Sequence, residues 1–202
     1  RYRDFEYLIN SHSISYIPSV TLLSEMIEKE EGSTRNLLAI APFNDEVEEG
    51  DMSNMDQRYA ESITPLYFSE YEMSTISTGF EGKNESKLLM GEEATFSQLK
   101  NTNLRDYDYI HFATHAFINE ESPEYSAILF YPDENHSGAA YVSDVYNLQL
   151  NANLVVLGAC QTGLGSVYKG EGIIGFTRAF IYAGASNLAV SLWQVNDQPT
   201  SF

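Results

Sequence analysis

One cysteine, Cys160, is all the thiol chemistry available to a chain of 202 residues. A lone cysteine cannot close an internal disulfide, so a reducing compartment, the cytoplasm, is its simplest home. The same count excludes zinc sites built from four cysteines, or from two cysteines and two histidines, and neither a metal nor a cofactor is expected. Basic residues are also scarce: 11 against 29 acidic ones give a net charge of −18. Phosphate backbones need a basic face, and without one direct nucleic-acid binding is not expected. The plain role of so much acid is solubility, and the functional alternative is attraction of basic protein partners. No run approaches the ~20 apolar residues of a membrane span, and no signal-peptide pattern follows Arg1. No Gly-Lys-Ser/Thr sequence is present to form a phosphate loop.

What is present is globular: 43% hydrophobic and 13% aromatic residues in a length that supports one full core. The chain opens on Arg1 and stops at Phe202 shortly after a strand-like run. It therefore reads as a single domain over 1–202, truncated at both ends.

The organising stretch is Asn153 to Gly163, an apolar run (Leu154, Val155, Val156, Leu157) that ends in Cys160 and turn residues. A second run of the same build, Tyr109 to Ala116, ends in His115. Around these two, strands are expected at Tyr7–Ile9, Ser13–Ile17, Asn36–Ala41 (halted by Pro42), Lys87–Met90 and Asn187–Leu192, with an edge strand or hairpin arm at Ser126–Tyr131. Helices are expected from Ser19 to Ile27, from Pro65 to a stop at Gly79, and from Glu92 to Leu99 with Phe96 and Leu99 inward. Tyr141 to Leu150 reads as a short strand and a helical turn capped by Ser143. The stripe of Ile173, Phe176, Thr177 and Phe180 marks another helix, closed by Gly184. Asp45 to Arg58 is acidic and lacks apolar periodicity, and reads as a mobile loop. Strand and helix alternate, so the class is α/β with a mainly parallel sheet.

In open α/β sheets reactive groups collect outside the carboxyl ends of the strands. Cys160 and His115 both sit there, 45 residues apart in sequence. A thiol attacks a carbonyl as the thiolate, and a neighbouring imidazole lowers its pKa or takes its proton. Backbone donors at Cys160 and at Ala116, the residue after the histidine, are the candidates to hold the oxyanion. A lone buried cysteine is more often a small hydrophobe, and a single strand-end histidine more often structural. The coincidence of the two contexts is what points to a dyad. His111 would share a face with His115 in a strand and fits a packing role, while His12 and His136 occupy turn contexts. Gly170 to Gly175 spells G-x-G-x-x-G, with Asp197 further on, but it begins ten residues after Cys160, out of place for a dinucleotide fingerprint.

The segments His111-Phe112-Ala113-Thr114-His115 and Leu157 to Gly165 resemble the two signature segments of CHAT-domain cysteine peptidases. Gly170-Glu171-Gly172, Arg178-Ala179-Phe180, Ala183-Gly184-Ala185 and Ser191 to Asp197 continue the match in order. The resemblance implies a caspase-like α/β fold, its mainly parallel central sheet flanked by helices on both faces. It implies His115 as general base and Cys160 as nucleophile of an endopeptidase. Where the family carries glycine after the histidine, this chain has Ala116, which keeps the N–H donor. By likeness to separases, Trp193 and Asp197 would line a substrate pocket, Asp197 receiving a basic side chain. The resemblance further implies a protein or peptide substrate, a tetratricopeptide-type sensor region or other regulatory partner, and a bacterial protein or defence system as setting. The alternative is a catalytically silent interaction module of the same fold.

Overall fold

The structure, a computed structural model, describes residues 11, 36–47, 51–80, 86–119, 122–158, 160–161 and 171–190. The chain divides into two compact units, Arg1–Glu30 and Glu31–Phe202. Of the first, Ser11 in a turn is described. The strands expected at Tyr7–Ile9 and Ser13–Ile17, the helix from Ser19, the glycine-rich stretch from Gly163 to Gly170 and the Ser191 to Asp197 segment lie outside the described residues.

Five parallel strands form the central sheet of the second unit: β1 (Leu37–Ala41), β2 (Ser86–Met90), β3 (Tyr109–Phe112), β7 (Leu154–Leu157) and β9 (Leu188–Val190). They lie in the order β2-β1-β3-β7-β9. A second sheet, in the order β6-β5-β4-β8, contains β4 (His115–Phe117), β5 (Ala127–Leu129), β6 (Ala139–Tyr141) and β8 (Cys160–Gln161). Here β5 runs antiparallel to both its neighbours, and β4 runs parallel to β8.

Every residue of β1 is buried, as a strand covered on both faces requires. Alternation divides them between two cores. Leu38 and Ile40 join Ile110, Phe112, Val155 and Leu157 on one face, under α3 (Phe96–Asn101) and α5 (Glu171–Ala183), which contribute Phe96, Leu99, Phe176 and Phe180. Leu37, Ala39 and Ala41 face the other way, where Met73 of α2 (Ser69–Thr78) covers them. This is the expected α/β architecture with helices on both sides of a parallel sheet.

Several boundaries differ from the sequence expectation. Helix α2 starts at Ser69 rather than Pro65, because the Leu66 N–H donates to the Phe43 carbonyl (2.6 Å) and ties that stretch to the end of β1. Glu92 lies in a 3-10 turn (Gly91–Glu93), and α3 begins only after Thr95, whose hydroxyl accepts from the Gln98 N–H (3.0 Å). Of the two readings of Ser126–Tyr131, the hairpin arm holds: β5 pairs antiparallel with β6, which takes the edge of the sheet. Helix α4 (Val142–Tyr146) is capped at Tyr141, not Ser143: the Asp144 carboxylate accepts the Tyr141 N–H at 2.8 Å. The acidic stretch is also structured in part. A 3-10 turn (Asp51–Asn54) and α1 (Gln57–Ala60) bury Met55 and Tyr59 beside Phe43 and Phe117.

Candidate active site

The apolar run that ends in the histidine is two strands, not one. β3 stops at Phe112, and Ala113 and Thr114 carry the chain into β4, which His115 begins. Thr114 is fully buried, and its hydroxyl donates to the Leu129 carbonyl (2.6 Å), tying the break to β5. The run towards the cysteine breaks in the same way, after Leu157, and resumes at Cys160 in β8. Across the first sheet Tyr109 pairs with Leu154 and Phe112 with Leu157; across the second, His115 pairs with Cys160 and Ala116 with Gln161. The offset of 45 residues is the same on both sides of the break. The apolar ladder between β3 and β7 thus delivers His115 and Cys160 to directly opposite positions on neighbouring parallel strands, a spacing of about 4.8 Å between strand axes.

His115 is buried, 2% exposed, with its ring tilted against Phe43 at 5.4 Å between centroids. Its Nε2 lies 2.7 Å from the Thr64 carbonyl oxygen and 3.4 Å from the Thr64 N–H nitrogen. One nitrogen cannot donate to the first and accept from the second in one tautomer, and the shorter contact decides. Nε2–H donates to the carbonyl, and the neutral ring then carries its lone pair on Nδ1. A base oriented by a third group is the arrangement that nucleophilic sites require.

Thr64 sits near the end of a strap, Met55 to Leu66, that is fastened at both ends. At the start, the Asp56 N–H donates to the Ser137 carbonyl (3.2 Å) in the turn between β5 and β6. Met55 packs on Gly138, where a Cβ would lie 2.9 Å from its terminal methyl and 2.5 Å from the Phe130 carbonyl. The Asp56 carboxylate takes Arg58 N–H and Nε on Oδ1 (3.0 Å each), and Arg58 Nη2 and the Tyr141 hydroxyl on Oδ2 (2.7 Å each). The Arg58 hydrogen bonds hold the Asp56 carboxyl down at about 2, against a desolvation that opposes them. Burial, followed by the Asp56 hydrogen bond, pushes the Tyr141 hydroxyl well above the usual phenol range.

A carboxyl whose folded pKa is depressed stabilises the fold fully above its unfolded value, near 4, and loses that contribution as pH falls towards 2. Asp56→Asn should therefore melt below wild type at pH 5 to 7. The gap in Tm should close between pH 4 and about 2, as calorimetry across that range will read. A constant gap over the whole range would remove Asp56 as the titrating group.

The CHAT domain family matches residues 1–201. The chain belongs to the CHAT domain family. That family is grouped with the caspase-like peptidases, and the parallel five-stranded sheet with helices on both faces is consistent with a caspase-like fold. A relative is tetratricopeptide repeat protein 28 of Homo sapiens, 49% identical over 53 residues, which cover 26% of this chain and 2% of that protein. Among solved structures, a Streptococcus pneumonia TIGR4 flavodoxin aligns over 83% of this chain and 95% of its own, at 14% identity and a TM-score of 0.32. That likeness is too low to bear on fold or activity.

In this CHAT domain the backbone brings together the two residues singled out as a dyad, while Ala116 is buried between Ile128 and Gln161 in the ladder. Trp193 and Asp197 fall outside the described residues. His111 takes the packing role expected of it. It is buried on the face opposite Ile110 and Phe112, with Nε2 3.0 Å from Glu72 Oε1 on α2, a close approach without the alignment of a hydrogen bond. Among the described residues no group of three or more His, Cys, Asp or Glu is placed to hold a metal ion, and no helix is long and apolar enough to cross a membrane. Sequence reasoning missed two features of the CHAT domain. One is the Thr64 carbonyl, a backbone group that any residue could supply. The other is a cleft of about 260 Å³ at the carboxyl ends of β1 and β2, lined by Asn44, Asp45, Glu46, Met90, Glu92 and Tyr131. Its lining residues Pro42 and Asn44 flank Phe43, the ring against His115. The position is where ligands gather on parallel sheets, which is the signal that could have found it.

Proposed function

We propose that this CHAT domain is a cysteine endopeptidase in which His115 activates Cys160. The observation that carries the reading is the direct pairing of these two positions on β4 and β8, with the imidazole held through Nε2 by Thr64. In the proposed reaction Nδ1 of His115 takes the thiol proton and the thiolate adds to the scissile carbonyl. The peptide N–H groups of Cys160 and Ala116 are the proposed oxyanion donors. As the C–N bond breaks, the imidazolium returns the proton to the leaving amine, and water then hydrolyses the thioester.

A preference for arginine or lysine before the cut is part of the proposal. It is supported by the acidic cleft at Asp45, Glu46 and Glu92 beside the histidine's aromatic neighbour, and by the family position of Asp197. A tetratricopeptide-type region is the regulatory partner proposed, in keeping with the relative that carries that name. The proposed setting is the cytoplasm, suggested by the lone cysteine, and a bacterial defence system, suggested by the family resemblance.

Because Cys160 is the only cysteine, alkylation reports on it without ambiguity. Iodoacetamide should react rapidly near neutral pH and at least about tenfold more slowly with His115→Ala, followed by intact-protein mass spectrometry. Equal rates in the two proteins would mean an inert thiol and leave a silent interaction module as the function.

A further inference from the structure

The strap over His115 is fastened more firmly than a surface segment needs. Arg58 is half exposed, at 53% for its side chain, and an isolated ion pair at such a position contributes little to stability. Yet Asp56 receives four donors, and the Arg58 guanidinium engages it through two nitrogens, the geometry that fixes orientation as well as charge. Three tyrosine rings, of Tyr59, Tyr125 and Tyr141, surround the guanidinium at 5.4 to 5.7 Å from their centroids. Two of these rings connect to the second sheet, which His115 enters at β4. Tyr59 packs on Phe117 of β4 at 4.8 Å and donates its hydroxyl to the Tyr125 carbonyl (2.9 Å). Tyr141 ends β6.

Five residues beyond Tyr59 the strap presents Thr64 to Nε2 of His115, and two residues later Leu66 bonds to Phe43. Thr64 is therefore suspended between a fixed cluster on the second sheet and the end of β1. Both anchors lie on elements that also touch His115 or its strand.

We propose that Asp56, Arg58 and Tyr141 are positioning residues: they hold the strap so that the Thr64 carbonyl stays on Nε2 and keeps the His115 proton there. The catalytic consequence rests on the peptidase reading; the control of the imidazole does not. A histidine whose proton is free to move between its nitrogens presents the wrong tautomer to the thiol for part of the time. Turnover then falls, while substrate affinity, set by groups elsewhere, does not.

The experiment uses the chain with 15N-labelled histidine, as wild type, Tyr141→Phe and Asp56→Asn. Tyr141→Phe keeps the ring packing and removes one hydroxyl, so it tests the claim even where Asp56→Asn loosens the fold. In wild type the His115 ring nitrogens should show a single tautomer protonated at Nε2, with slow exchange of that proton. Both variants should populate the second tautomer and exchange faster. With a cleaved peptide as substrate, kcat should fall about tenfold at unchanged KM, as small misplacements of catalytic groups do. Unchanged ring signals and unchanged exchange in Tyr141→Phe overturn the proposal, whatever the activity. If wild type cleaves no peptide, the peptidase reading fails on its own, and the nitrogen spectra still decide whether the cluster positions the imidazole.

Discussion

On the proposed peptidase reading, Cys160→Ala should abolish peptide cleavage, with a loss in kcat on the order of 10⁶, the scale seen when a nucleophile is deleted from a catalytic unit. His115→Ala should lose a similar factor, and the double variant should be no worse than either single one. Such non-additivity marks two groups that act as one device, and it follows from their pairing in the ladder. Cleavage of a fluorogenic peptide with a basic residue before the cut, followed to late times, measures all three. Both variants should fold as wild type, since the exchanges remove side-chain atoms and leave the β4–β8 backbone pairing in place. Cleavage by Cys160→Ala at the wild-type rate would assign the activity to another residue or to a contaminant.

The largest expected effect on stability comes from a glycine. Gly184 closes α5 at φ +115°, a conformation that residues with a Cβ rarely adopt, and its α-carbon lies against the Leu150 backbone carbonyl group. The surrounding hydrogen bonds leave no room to relax. Gly184 N–H donates to Ile181 (3.0 Å), Ala185 N–H to Phe180 (3.0 Å), and Leu150 N–H to Ala183 (2.7 Å). This is the left-handed helix stop together with a tertiary tie. Gly184→Val should cost roughly 3–4 kcal/mol from backbone strain and overpacking together, lowering Tm by about 6–15 °C for a domain of this size. Gly175, inside α5, is the control. A Cβ there meets only Val142 Cγ2 at 3.9 Å, so Gly175→Ala should be neutral or stabilising by about 0.5–1 kcal/mol. Equal melting temperatures for Gly184→Val and Gly175→Ala would contradict the strain argument.

The strands of the central sheet were readable because burial on both faces leaves a continuous apolar run, as at Leu37–Ala41 and Leu154–Leu157. Helix α5 was readable from the stripe of Ile173, Phe176, Thr177 and Phe180, of which Phe176 and Phe180 are buried. The break at Ala113–Thr114 was not, since buried residues continue straight through it. Only the pairing of β4 with β5, which is long-range, reveals that a second sheet has begun. The strap was hidden for the opposite reason. Two buried residues four apart, Met55 and Tyr59, lie in a stretch whose charges dominate any periodicity. Tyr141, Asp56 and Arg58 form one cluster from positions more than eighty residues apart, and nothing local marks them as neighbours. Cys160 and His115 were legible as the ends of two apolar runs, although each begins a strand of the second sheet, whereas the carbonyl that orients the imidazole carries no side-chain signature at all.

The constant offset across the two strand breaks also says where this chain tolerates length variation. Residues inserted in the turns between Phe117 and Leu154, such as that from Asp133 to Ser137, lengthen the excursion between the two strands without altering which position faces which, because the β3–β7 ladder re-establishes the count. A single residue gained or lost at Ala113–Thr114, or at Gly158–Ala159, has no ladder downstream to correct it. The first kind of change is ornament on a loop. The second would set Gln161 or Ala159, in place of Cys160, across from the histidine. Two spacers of two residues are the reading frame of the His115–Cys160 pairing.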